Sequence, residues 1–177
     1  KALELFYKAV RITHGSELPI LLSGMGSVYG YYAGFPEIAK SYYQEAFQLD
    51  SDTDSYFRNL SDLEILSQNK EKALELTKNA YSRDSNKFEN ICSMVNIYYF
   101  LGQYKESLKY LKKVAGRYES LSPFTMWSVR FIGYIYWMNG YKKEAEHWFD
   151  KQKRLCEVSI KFGRFTRIGS FDYYDLA

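Results

Sequence analysis

The strongest constraint on this chain is that it repeats itself. KALEL at 1–5 returns at 72–76, and the same position recurs three more times. A small residue following a charged pair or a turn recurs as Ala2, Ala39, Ala73, Ser107 and Ala145, at spacings of 37, 34, 34 and 38 residues. A turn precedes four of these anchors: AGFPE at 33–37, SQNKEK at 67–72, LGQYKE at 101–106 and NGYKKE at 139–144. Ahead of each turn runs an aromatic-rich stretch with helical periodicity. Each unit is therefore expected to be a helix A, a short turn and a helix B. One such unit cannot bury its own apolar face, so the units must stack on one another.

Local signals agree with this register. Pro19 and Pro123 fall at or near the start of a helix A, and Pro36 opens a helix B. Proline is tolerated there because the N–H it lacks has no partner in a first helical turn. Capping residues gather between units, in SDTD at 51–54, SRDSN at 82–86 and SLSP at 120–123. Three prolines and eleven glycines in 177 residues leave room for long helices. The 18 tyrosines suit a thin, surface-rich structure, since a tyrosine can pack its ring while its hydroxyl reaches water.

The unit resembles the tetratricopeptide repeat. In the third unit the matching residues are Ile91, Met94-Val95, Tyr98, Gly102, Tyr104, Ser107, Leu111 and Val114. In the fourth they are Val129, Ile132-Gly133, Tyr136, Gly140, Ala145, Phe149 and Gln152. The second reads Phe57, Leu60-Ser61, Gln68, Ala73, Thr77 and Ala80, with Glu64 where the pattern wants Tyr. The first reads Met25-Gly26, Tyr29, Gly34, Ala39, Tyr43 and Ala46, with one extra residue before the turn. The resemblance implies an all-α fold, a right-handed α-α superhelix of helix-turn-helix repeats. The expected organisation is helix B of a partial repeat at 1–15, repeats at 19–53, 54–87, 88–122 and 123–162, and the start of another helix A at 170–177. On this reading the chain is a piece of a longer protein.

The chemistry-bearing motifs are weak. SGMGSVYG at 23–30 lacks the Gly-x-Gly-x-x-Gly spacing of a nucleotide loop, and the register makes Gly26 a packing position. His14 and His147 are the only histidines, and neither forms a metal-ligand or nucleophile pattern with the two cysteines. Cys92 and Cys156 suggest no disulfide framework, so a reducing compartment is the default and a cytoplasmic location follows from it. Asn59-Leu60-Ser61 fits a glycosylation acceptor but falls within a helix. No apolar run approaches the ~20 residues of a membrane span. The basic segment 151–169, with Phe162 and Phe165 interleaved, reads first as a solvated face and second as an RNA contact. A net charge of +3 gives RNA little support. No enzyme, cofactor or metal is expected.

The resemblance also places a binding groove on the outward-facing helix A positions. Here these are Arg58 and Asp62 in the second unit, Asn96 and Tyr99 in the third, and Arg130, Tyr134 and Trp137 in the fourth. Ser55, Ile65, Leu66, Glu89, Cys92, Phe100, Trp127 and Met138 flank them, and the first unit adds Ile20, Ser23, Ser27 and Tyr31. Arg, Tyr and Trp are the residues that dominate binding hot spots. The implied function is a non-enzymatic scaffold that takes a protein or peptide in this groove. The alternatives are the regulatory or sensor portion of a larger signalling or transcription protein and, less favoured, an RNA-binding helical repeat. Exposed end faces leave end-to-end self-association open. The Lys/Asn/Arg clamp by which some tetratricopeptide proteins hold a peptide carboxylate is not reproduced.

Overall fold

The computed structural model describes residues 2–120 and 129–161, and the side chains of all of these except 2, 3, 118–120, 129, 130, 159 and 160. Among the described residues the architecture is all-α. The helices are α1 (Ala2–Ile12), α2 (Glu17–Ser27) continued by a π-helical turn (Val28–Ala33), α3 (Pro36–Asp50), α4 (Thr53–Leu66), α5 (Lys70–Arg83), α6 (Phe88–Phe100), α7 (Tyr104–Ser120), α8 (Val129–Met138) and α9 (Lys142–Lys161). Chain contacts divide it into two units, Lys1–Ile97 and Tyr98–Ala177, with the boundary inside α6. Helices α2 and α3, α4 and α5, and α8 and α9 pack as antiparallel pairs, each a helix A against its helix B. The expected helix start at 170–177, the opening of the last repeat and Trp127 lie outside the described residues.

The anchors predicted from the repeat are where the chain is most tightly closed. Ala39, Ala73, Ser107 and Ala145 are all fully buried. Four residues on, Tyr43, Thr77 and Leu111 are also buried, and seven residues on so are Ala46, Ala80, Val114 and Gln152. Positions i, i+4 and i+7 share one helix face, so each helix B presents this stripe to its neighbours.

In the first, second and fourth repeats the facing position on helix A is small, and its partner on helix B differs with it; the third has Val95 there. A methyl group added at Gly26 would strike the Tyr43 ring, and one added at Gly133 would lie 2.6 Å from the Phe149 ring. In the second repeat Ser61 replaces glycine and Thr77 replaces the ring. Ser61 Oγ lies 2.7 Å from Thr77 Oγ1 and donates to the Ala73 carbonyl at 2.9 Å. A ring laid against glycine and a hydroxyl pair between serine and threonine each let the two helices lie in close contact. The remaining glycines of α2 and its π-helical turn also make close contacts. A Cβ at Gly24 would meet Phe6 of α1 at 2.9 Å, and one at Gly30 would meet Leu63 of α4 at 2.6 Å. These two glycines let neighbouring elements approach, which outweighs their cost of ~1 kcal/mol each to the helix.

The four A-to-B turns share one backbone device. Gly34, Gln68, Gly102 and Gly140 all lie in the left-handed region, at φ of 73°, 63°, 70° and 81°. In three turns the next N–H donates back to the carbonyl five residues earlier: Asn69 to Glu64, Gln103 to Tyr98 and Tyr141 to Tyr136, at 2.8 to 3.0 Å. This is the Schellman closure of a helix end. In the first repeat Phe35 N–H reaches back six residues, to Tyr29 at 2.9 Å. The extra residue seen in the sequence is absorbed here as the π-helical turn, so the left-handed turn residue keeps its role.

Gln68 stands where the other turns have glycine, and a left-handed L-residue costs roughly 1–2 kcal/mol. Gln68→Gly should therefore raise the stability of the first unit by about 1 kcal/mol, while Gly102→Ala should lower that of the second by about as much. Urea unfolding of the two variants checks both signs.

Candidate functional site

The structure spreads the residues expected to line a groove over both units and gives them different environments. Arg58, on α4, is half-buried and engaged. Its Nη1 donates to Asn90 Oδ1 at 2.6 Å, and its Nη2 donates to Ser55 Oγ at 2.6 Å. Asp52 in turn caps α4, its carboxylate accepting from the Ser55 N–H and hydroxyl at 3.1 and 2.6 Å. Asn90 is fully buried, and its amide donates to the carbonyls of Ala80 and Asp84 at 2.9 and 3.0 Å. Around this core, Asp54 pairs with Arg83 at 3.2 Å and with Lys87 at 3.3 Å. Arg58 therefore ties α4 to the start of α6.

Asp62 lies one turn along α4 from Arg58. Burial pushes its carboxyl above the usual range, against the opposing pull of the Tyr31 hydroxyl, which donates to it, and of the Arg58 charge. Burial and the Asp62 charge also raise the Tyr31 phenol. A carboxyl raised in the folded state supports the fold most fully when protonated. That support is lost as pH rises through its folded pKa. Tyr31 sits on the π-helical turn, so the inserted residue belongs to the segment that carries this contact. Asn96 is half-buried on α6 within the first unit.

In the second unit the site is aromatic. Tyr99 lies 4.6 Å from Phe131 and 5.9 Å from Tyr134, centroid to centroid, and Tyr104 lies 5.5 Å from Tyr134. The two contacts of Tyr134 are edge-to-face, which holds its ring in a fixed orientation. Tyr134 is 38% exposed, and Trp137 and Met138, one turn later on α8, are 49% and 46% exposed. Asn139 secures the end of that helix by donating to the Tyr104 and Ile135 carbonyls at 3.0 and 2.8 Å. Tyr134 and Trp137 thus lie on an exposed part of one helix, over an aromatic base. The Arg130 backbone belongs to α8, but its side chain lies outside the described residues.

One regularity escapes a reading of single motifs. Two residues before each left-handed turn stands a large apolar side chain: Tyr32, Leu66, Phe100 and Met138. They are 55%, 46%, 45% and 46% exposed. Single exposed apolar residues are ordinary on protein surfaces, but recurrence at one register position in all four repeats is not expected of scattered ones. The alignment of turns would have revealed it. The inserted residue in the first repeat hides Tyr32 when the count runs from Gly26.

No group of His, Cys, Asp and Glu among the described residues could hold a metal ion, and none of their helices is long and apolar enough to cross a membrane. No protein-family model and no curated protein matches the sequence. Solved structures do match it. One crystal structure of MamA aligns at a TM-score of 0.52 with 18% identity, over 93% of this chain and 90% of that one. A second structure of MamA protein aligns at 0.51 and 18%, over 91% and 84%. A crystal structure of the nearly identical TPR-like repeats of a protein described as a Podosopora anserina kinesin light chain aligns at 0.51 and 18%, over 92% and 87%. With the paired helices, small-residue contacts and left-handed turns described above, these likenesses establish that the chain has the tetratricopeptide-type helical-repeat fold.

Proposed function

We propose that this chain is a non-enzymatic interaction module that binds a protein or peptide segment on the exposed ends of its A helices. The observation that carries the reading is the recurring half-exposed apolar residue at the end of every helix A, reinforced by Tyr134 and Trp137 in the second unit. Apolar and aromatic side chains held on rigid helices can be desolvated by a partner at small entropic cost, which is how binding anchors work. Asp62 and Asn96 would add polar contacts in the first unit. Arg58 contributes by holding α4 in place, and Tyr99 by supporting Tyr134.

The combined variant Tyr134→Ala, Trp137→Ala and Met138→Ala should lower affinity for a partner purified with the wild-type protein by at least about a hundredfold, a loss of ~2.7 kcal/mol. All three side chains are exposed, so helical circular dichroism should stay unchanged. A variant that keeps its helicity and still binds like wild type would overturn the assignment.

A further inference from the structure

The four B helices share one register, and one of them breaks its pattern. Positions two before each buried anchor, and two, five, six and ten after it, face away from the buried stripe. In α3 they hold Glu37, Ser41, Gln44, Glu45 and Leu49, and in α5 Glu71, Glu75, Lys78, Asn79 and Arg83. In α9 they hold Lys143, His147, Asp150, Lys151 and Leu155. In α7 all five are basic: Lys105, Lys109, Lys112, Lys113 and Arg117. A face that only needs to be solvated can mix its charges, as the other three do, so solvation alone does not account for α7.

All five side chains are exposed, and from Lys105 to Arg117 they cover ~18 Å of helix. On the other face Ser107, Leu108, Leu111 and Val114 are buried, so α7 is held by one side and presents cations on the other. Glu106 is the one carboxylate among the described side chains of α7. It meets Lys109 at 2.7 Å and leaves the stripe strongly positive. The charge of the unit adds to it. Residues 98–177 carry fourteen basic and eight acidic side chains, against ten and thirteen in residues 1–97. No large apolar side chain among the described residues of α7 is exposed.

We infer that the outward face of α7 docks the chain on an anionic phospholipid surface, resting on the headgroups without entering the bilayer. The attachment is electrostatic, since this face has no apolar side chain to insert. The same chemistry disfavours a nucleic acid. Four of the five cations are lysines, mobile point charges, and the guanidinium fork that fixes a phosphate in place occurs once, at Arg117. The outward positions from Lys105 to Arg117 offer no Asn, Gln, Ser or Thr to bond sugar or base. Nor do the nearby rings leave a face on which a base could stack. Tyr110 is stacked on Tyr98 at 5.7 Å and covered by Lys113 at 5.4 Å, and Tyr141 is covered by Lys112 at 4.6 Å.

The test is co-sedimentation of the full chain with vesicles of phosphatidylserine in phosphatidylcholine, beside vesicles of phosphatidylcholine alone. Labelled duplex RNA and oligouridine are measured in parallel by anisotropy. The chain should pellet with the phosphatidylserine vesicles only. It should be released as salt rises from about 0.1 M to about 1 M, where the Debye length falls from ~10 to ~3 Å. Lys105 is exposed, so Lys105→Gln disturbs no packing and should weaken vesicle binding about fivefold. Lys109→Glu, Lys112→Glu and Lys113→Glu together should abolish it. The same change of charge placed on other exposed lysines, as Lys8→Glu, Lys40→Glu and Lys70→Glu, should leave most of it. The inference fails if wild type ignores the phosphatidylserine vesicles or binds phosphatidylcholine equally, or if either α7 variant binds as wild type does. It fails also if the displaced triple variant loses binding as completely, or if either RNA binds more tightly than the vesicles.

Discussion

Tyr43→Ala should destabilise the first unit by about 4 kcal/mol, the upper part of the range for truncating a buried aromatic. Tyr43 is only 1% exposed. Its ring lies against Gly26 on one side and belongs to a core with Ala39 and Leu63, flanked by Tyr29, Tyr56 and Leu60. Removing it opens a void, and α2 cannot collapse far into it because the Ala39 carbonyl already abuts Gly26, 3.0 Å from where a Cβ would sit. Its hydroxyl, 3.3 Å from Ser27 Oγ, contributes much less. Tyr43→Phe should therefore cost no more than about 1 kcal/mol. Urea unfolding of the two variants separates ring from hydroxyl. If Tyr43→Phe costs as much as Tyr43→Ala, the packing account is wrong.

Asn90→Ala should cost about 3 kcal/mol, although it removes only a small polar side chain. The amide is fully buried and serves two carbonyls and a guanidinium at once. Its loss takes the partner from the buried bond to the Ala80 carbonyl and from the part-buried bond to Asp84, and an unsatisfied buried group costs roughly 1–3 kcal/mol. It also leaves Arg58 with one partner fewer in a half-buried site. Arg58→Ala should cost less, because of the two acceptors it serves, Asn90 Oδ1 and Ser55 Oγ, only the first belongs to a fully buried residue. The double variant should cost less than the sum of the two, and a double-mutant cycle measures that coupling. Additive losses would show that the pair does not act together. This is also why Arg58 is a poor residue to mutate when testing binding: its replacement weakens the fold that presents the proposed contact residues.

Much of the fold was legible in the sequence because it rests on short-range rules. Ala39, Ala73, Ser107 and Ala145 announced themselves by spacing, and each is fully buried. The extra residue of the first repeat was countable, though the π-helical turn that absorbs it was not. Which of Gly26 and Gly30 serves which neighbour depends on Tyr43 and Leu63, which the chain brings to them only on folding.

The candidate site was less legible for the same reason. Outward-facing positions can be counted along a helix, so Tyr134 and Trp137 could be expected on the open face of α8, where both are exposed. Counting could not tell that Arg58 is engaged by Asn90, 32 residues away in sequence, or that Asp62 is partnered by Tyr31 from the preceding repeat.

The sequence by itself determined that the chain is a stack of helical hairpins, because periodicity, prolines and turn glycines act locally on the backbone. Only the tertiary structure decided which polar side chains hold the stack together and which stay open to a partner. That choice depends on what packs against each side chain, and in a stacked fold this neighbour comes from the adjacent helix or repeat, beyond the reach of the local rules that set each helix.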